Sequence, residues 1–239
     1  MATYKQASLM GLGVFVCLGL VLLGYQLGDA AIKYKEYERT VTVKGLSERE
    51  YNADVVIWPI LFTVASNELE SLYDAVESGA ANIKGFLEHN GIDSADISYS
   101  APAITDKAAQ DWGNNARAEF RYTATQTVTV YSRKVNEVRS VMGRLSELGK
   151  KGIVFSGDNY QAQTEYLFTS LNDVKPDMVE EATRNAREVA QKFAADSQSA
   201  LGRIKQAAQG QFSIVPRDNN NPHIKRVRVV TTVEYYLSD

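Results

Sequence analysis

Nucleophiles, metal ligands and acid–base groups are sparse in this chain, and their spacing limits the chemistry. Of 239 residues, two are histidine and one is cysteine. A metal site needs several His, Cys, Asp or Glu side chains converging on one point. His89 falls in the last turn of a predicted helix, where a cation complements the helix dipole. The run Asp218-Asn219-Asn220-Asn221-Pro222-His223 offers oxygen ligands. It lacks the spacing and distal glutamate of an EF-hand, so it reads as a solvated turn. Nucleophilic catalysis needs a serine or cysteine beside a base. Neither G-x-S-x-G nor the phosphate loop G-x-x-x-x-G-K-[ST] is present. Gly11-Leu12-Gly13 lies inside an apolar stretch, so it is not a nucleotide loop. Glu180-Glu181 reads as solvated charge in the first turn of a helix. A hydrolase would have to use carboxylates such as Asp54 or Asp106, and no partner pattern accompanies them. The sequence predicts no catalytic residue, no cofactor and no metal site.

Aromatic residues are the better candidates for contact. Trp58 sits in the apolar run DVVIWPILFTVA at 54–65 and reads as core. Trp112 sits in the polar loop DKAAQDWGNNA at 106–116, where two readings stand. It is a contact residue, as an interface anchor or at a lipid interface, or it packs locally. With Tyr99 and Tyr122 it forms a candidate contact surface for a small apolar ligand or a partner protein.

The element that must position all of this lies at the start of the chain. Leu9 to Leu27 reads LMGLGVFVCLGLVLLGYQL, without a charge. As a helix it would be about 29 Å long, close to a bilayer's hydrocarbon core. The run is longer than a signal-peptide apolar region, which favours an uncleaved anchor. Gly28-Asp29-Ala30 matches a small-x-small site, so cleavage after Ala30 is chemically open. The organisation expected is a tail at 1–8, an anchor at 9–28, a stalk at 29–38 and one α+β domain at 39–239. Gly24 and Gly28, four residues apart, would let two anchors approach closely. Equally, glycine is common in membrane helices. Lys33, Lys35 and Arg39 outnumber Lys5 across the span and favour a cytoplasmic domain. Long domains cross largely regardless of charge, so charge leaves the side open.

Composition excludes some partners. Lys5, Lys33, Lys35 and Arg39 lie outside residues 40–239, as do Asp29, Glu36 and Glu38. Without them the 26 cationic and 29 acidic residues leave a net charge of about −4, which argues against nucleic acid. The one cysteine, Cys17, lies in the apolar stretch, so no intrachain disulfide forms.

The domain reads as strands alternating with helices. RTVTVK at 39–44 is a strand ending at Gly45, 46–51 is turn-like, and 54–65 is a second strand making a hairpin with the first. Pro59 marks an edge or a bulge in it. A helix follows from Asn67, with a capping-box arrangement to Glu70 and a buried stripe of Leu69, Leu72, Tyr73, Val76, Ala80, Ile83 and Leu87. Gly91 closes it. A short strand at 97–104, an alternating strand within 118–131 and a helix at 135–149 come next. QTVTV at 126–130 echoes RTVTV at 39–43, which fits a duplication or a shared β-propensity. Residues 152–167 read as a strand pair or as one long bent strand. Pro176 suits a first helical position, and the helix expected from Met178 to Leu201 buries Ala182, Ala186, Val189, Ala190, Phe193, Ala194 and Leu201. Gly202 ends it, and strands at 209–215 and 225–237 complete the chain. The class expected is α+β, with helices packed on a mainly antiparallel sheet and one N-terminal transmembrane helix ahead of it.

VTVKGLSER at 41–49 and DVVIW at 54–58 resemble the amino-terminal signature of the SIMPL-domain family. ATRNAREVAQKFAADS at 182–197, LGRIKQAAQGQFSI at 201–214 and RVRVVTTVEYYL at 226–237 continue the resemblance in order. The resemblance implies an α+β domain, export from the cytoplasm, self-assembly and a link to oxidative-stress tolerance, with no catalytic residue to carry over. The retained apolar stretch departs from exported members with a cleaved signal, and together with the export that the resemblance implies it leads to the expectation of a single-pass inner-membrane protein with its domain in the periplasm. The partners expected are further copies of the chain, in a ring-like homo-oligomer, and the bilayer through residues 9–28.

Overall fold

A computed structural model describes residues 2–36, 39–109, 119–150, 152–155 and 163–238. The elements run α1 (Ala2–Glu36), β1 (Thr40–Asn52), β2 (Val55–Ser66), α2 (Leu69–His89), β3 (Ile97–Tyr99), β4 (Ala103–Asp106) and β5 (Tyr122–Ser132). Then come α3 (Val135–Met142), α4 (Ser146–Gly149), β6 (Val154–Phe155), β7 (Glu165–Leu167), α5 (Leu171–Asp196), β8 (Ala200–Gln209), β9 (Ser213–Pro216) and β10 (Ile224–Ser238). The class is α+β with antiparallel pairing, as expected. Two compact units are present. One comprises Met1–Glu48, Lys175–Ser213 and Arg228–Asp239; the other comprises Arg49–Val174 and Ile214–Val227.

In the first unit, α1 is apolar and long enough over Phe15–Lys35 to cross a membrane. None of its described side chains is buried. The first sheet runs β1-β10-β8, with β9 also against β10. Its core is small: Val43, Ala186, Ala190, Val233 and Tyr235. Alanine at 182, 186, 190 and 194 lets α5 lie close to the sheet, and all four are buried. Gly45 completes that fit. A Cβ there would collide with the Ala182 carbonyl oxygen and stand 2.5 Å from the Ala186 nitrogen. Gly45 is therefore not a turn residue. It sits inside β1 because helix backbone occupies the place of a side chain.

The second unit is a six-stranded sheet ordered β3-β5-β2-β6, with β4 against β5 and β7 against β2. β2 and β5 pair without a break from Val56↔Ser132 to Ser66↔Tyr122. Alternate residues of both strands, Trp58, Ile60, Phe62, Ala124, Val128 and Val130 among them, are buried. α2 covers that face with Leu72, Val76, Ile83, Phe86 and Leu87. Gly79 lets the helix meet Phe62, whose Cε2 would lie 2.7 Å from an added Cβ.

Several expectations are corrected. β1 and β2 are not a hairpin, because β1 lies beside β10 and β2 beside β5. Residues 46–51 continue β1; they read as polar because that half of the strand is largely exposed. α2 starts at Leu69 with no side-chain cap. Asn67 instead accepts a hydrogen bond from the Arg121 N–H at 3.0 Å. Leu69 and Tyr73 are 45% and 51% exposed, so the buried stripe runs through Gly79 and Phe86 rather than through them. The single helix expected at 135–149 is two, α3 and α4. The strand expected at 97–104 is likewise two short ones, β3 and β4. α5 begins at Leu171 and carries Pro176 inside it. It stops at Asp196, leaving Leu201 and Gly202 in β8. Val189 and Phe193 point outward from it, 38% and 57% exposed. Other expectations hold. Gly91 has the positive φ of a helix stop, at 86°. Pro59 falls between the stretches of β2 that pair with β7 (Val55–Ile57) and with β6 (Phe62 and Thr63).

Candidate functional site

The carboxylates that a hydrolase would need are engaged elsewhere. Asp54 accepts hydrogen bonds from the Thr169 N–H at 2.8 Å, the Ser170 N–H at 2.9 Å and the Ser170 hydroxyl at 2.7 Å. Burial works against its charge, but these donors outweigh burial and hold its pKa below the usual value. Asp106 is held bidentately by Arg121, with Nε at 3.2 Å and the second guanidinium nitrogen at 3.0 Å. That contact lowers its pKa. Glu181 lies well inside α5 rather than in its first turn, and it accepts from the Ser47 hydroxyl at 2.8 Å.

The loop before β10 satisfies its own charges. Asp218 accepts from the Arg217 Nε at 2.8 Å, from the N–H groups of Asn220 and Asn221 at 2.9 and 2.8 Å, and from the Asn221 side chain at 3.0 Å. Arg217 above all lowers its pKa, to about 2. This carboxylate is taken up by the turn. His223 titrates below its ordinary range because of burial and the neighbouring Arg139 and Arg217. No group of three or more metal-ligating side chains converges among the described residues.

The expected contact residues separate. Trp112 lies outside the described residues. Tyr122 packs against the core of the second unit, under the Arg121 guanidinium at 4.8 Å from its ring centre. Tyr99 pairs with Val128, so about 20 Å of β5 lies between the two tyrosine positions. Gly24 and Gly28 share one face of α1, and a Cβ at either would meet nothing within 4 Å.

Tyr99 instead opens onto a groove of about 480 Å³ beside α2. Tyr73, Asp74 and Glu77 line one side of it, and Val76 and Ala80 contribute apolar surface. Gln126 of β5 also lines it. Gln126 is only 9% exposed. Its Nε2 donates to the Ser100 carbonyl at 2.8 Å, while its Oε1 is buried without a partner among the described residues. A buried acceptor left unpaired is costly and uncommon. Nothing in the sequence marks Tyr73, Asp74, Glu77 and Gln126 as one site. Tyr73 belongs to the stripe that the sequence predicts to be buried, and the buried positions Leu72, Val76, Gly79, Ile83, Phe86 and Leu87 leave it outside.

The fold and the site define an α+β protein with a groove beside α2. A model of the SIMPL family, described as a protein of unknown function (DUF541), matches residues 41–234, and the chain belongs to that family. No curated protein matches the chain.

Proposed function

We propose that the chain is a single-pass inner-membrane protein, anchored through residues 9–28. Residues 39–239 stand in the periplasm and assemble with further copies in a structural role tied to oxidative-stress tolerance, without catalysis. The observation that carries this reading is the outer edge of β8. β8 ends the first sheet, and among the described residues no strand pairs with its far side. Nine of its ten residues are exposed, Ile204 among them. An open edge of this length is a template for another strand, and closure of several copies into a ring removes every such edge. β1 is the sheet's other edge, whereas β10, longer than either, is central. The apolar α1 supports the tether. Light scattering of the full chain in mild detergent tests the assembly; a clean monomer overturns it.

The groove at Tyr99 favours a second reading, a binding module for a small ligand or an envelope partner. Its half-exposed tyrosines and the orphaned Gln126 acceptor are what such a site uses.

A further inference from the structure

We infer that the groove beside α2 takes a small organic cation, a primary alkylammonium, an assignment that rests on reading the groove as a binding site. Its lining is mainly apolar surface, in which Asp74, Glu77 and Gln126 supply acceptors and Tyr73 and Tyr99 supply rings. Asp74 and Glu77 stand one helical turn apart on α2, and neither has an ion pair among the described residues. The one cation in the lining, Lys84, is occupied by Glu88 at 3.6 Å. Tyr73 and Tyr99 are 51% and 46% exposed as residues, and a cation over a tyrosine face is attracted by its quadrupole.

Gln126 points independently to the same chemistry. Its amide is oriented by the bond from Nε2 to the Ser100 carbonyl. Reversing it would set two oxygens against each other, so Oε1 is committed to accepting. Oε1 has almost no accessible surface, so a donor in the groove recovers what that oxygen lacks once the atoms over it shift. An ammonium supplies three donors and no acceptor. Its alkyl chain has Val76 and Ala80 to lie on. A carboxylate of the same length would meet Asp74 and Glu77 with like charge, and an alcohol would gain neither the charge nor the ring contact.

The test titrates the full chain in nonionic detergent with n-butylammonium, 1-butanol and butyrate, read by saturation-transfer NMR. Butylammonium binding at least about tenfold tighter than either analogue is expected. Asp74→Asn and Glu77→Gln each weaken it about three- to fivefold. Both residues are exposed on α2, and an unchanged melting temperature establishes that the variants keep the fold. If butanol binds as well as the amine, or the double variant binds butylammonium unchanged, the cation assignment is overturned while the groove remains a site. If none of the three binds, the groove falls as a binding site too.

Discussion

The backbone of Gly45 in β1 lies directly against that of Ala182 in α5, with no space between them for a methyl group. Both obstructing groups, the Ala182 carbonyl and the Ala186 nitrogen, are helix backbone and cannot rotate away. Gly45→Ala is expected to cost about 3 kcal/mol or more, above the usual range for overpacking, because a whole helix must shift. Urea unfolding of the variant measures it. A loss below about 1 kcal/mol would mean that the helix lies farther from the strand.

Asp54 ties the start of β2 to the residues that lead into α5. Asp54→Ala leaves the donors of Thr169 and Ser170 without their acceptor, and a loss of about 1–3 kcal/mol is expected. The pH dependence follows from the lowered pKa. The contribution is fully present above the ordinary value of 3.8 and disappears as pH falls through the lower folded value. Comparing the acid arms of wild type and variant separates this term from the rest.

Asp218 is expected to remain ionised far into acid, titrating at about 2 with Arg217 as the main cause. Carboxyl carbon NMR across pH 1–5 reads it directly. In Arg217→Gln the same signal should move upward toward the ordinary carboxylate range. No upward movement would assign the low value to the asparagine donors instead.

Tyr235 is fully buried, yet its hydroxyl has no partner among the described residues. Tyr235→Phe removes an unsatisfied polar atom and keeps the ring. Thermal unfolding should show the variant as stable as wild type or more so, by up to about 1 kcal/mol. A clear destabilisation would reveal a partner for that hydroxyl.

Ile204→Lys places a charge on the open strand β8, a device that blocks edge-to-edge pairing. If β8 is the assembly edge, light scattering should find a smaller particle with an unchanged circular dichroism spectrum. A particle of unaltered mass moves the assembly contact elsewhere.

The helices were legible because their apolar residues recur at three and four. The Leu72–Val76–Ile83–Leu87 series and the alanine series from 182 to 194 both mark buried faces. Strand partners were not legible. β1 and β2 are neighbours in sequence, and local pattern gives no sign that β1 lies beside a strand starting at Ile224. Gly45 looked like a turn because its reason for being glycine is helix backbone more than 130 residues away. The same limit hid the groove. Tyr99 was visible as an aromatic, but Asp74, Glu77 and Gln126 look like ordinary surface and strand residues until α2 is laid across β5.

The N–H of Leu237 donates to the carbonyl of Arg39 at 2.9 Å, so β1 is stitched to the last strand of the chain. A ribosome adding about 5–20 residues per second emits β1 on the order of 10–40 s before that neighbour exists. Throughout that interval the nascent chain carries an unmatched strand, which is a window for wrong pairing and for capture by holding factors. A message truncated ahead of Ile224 yields a product whose β1 lacks the strand it lies beside. Quality control would meet such a product as an exposed edge rather than as a shortened but finished fold.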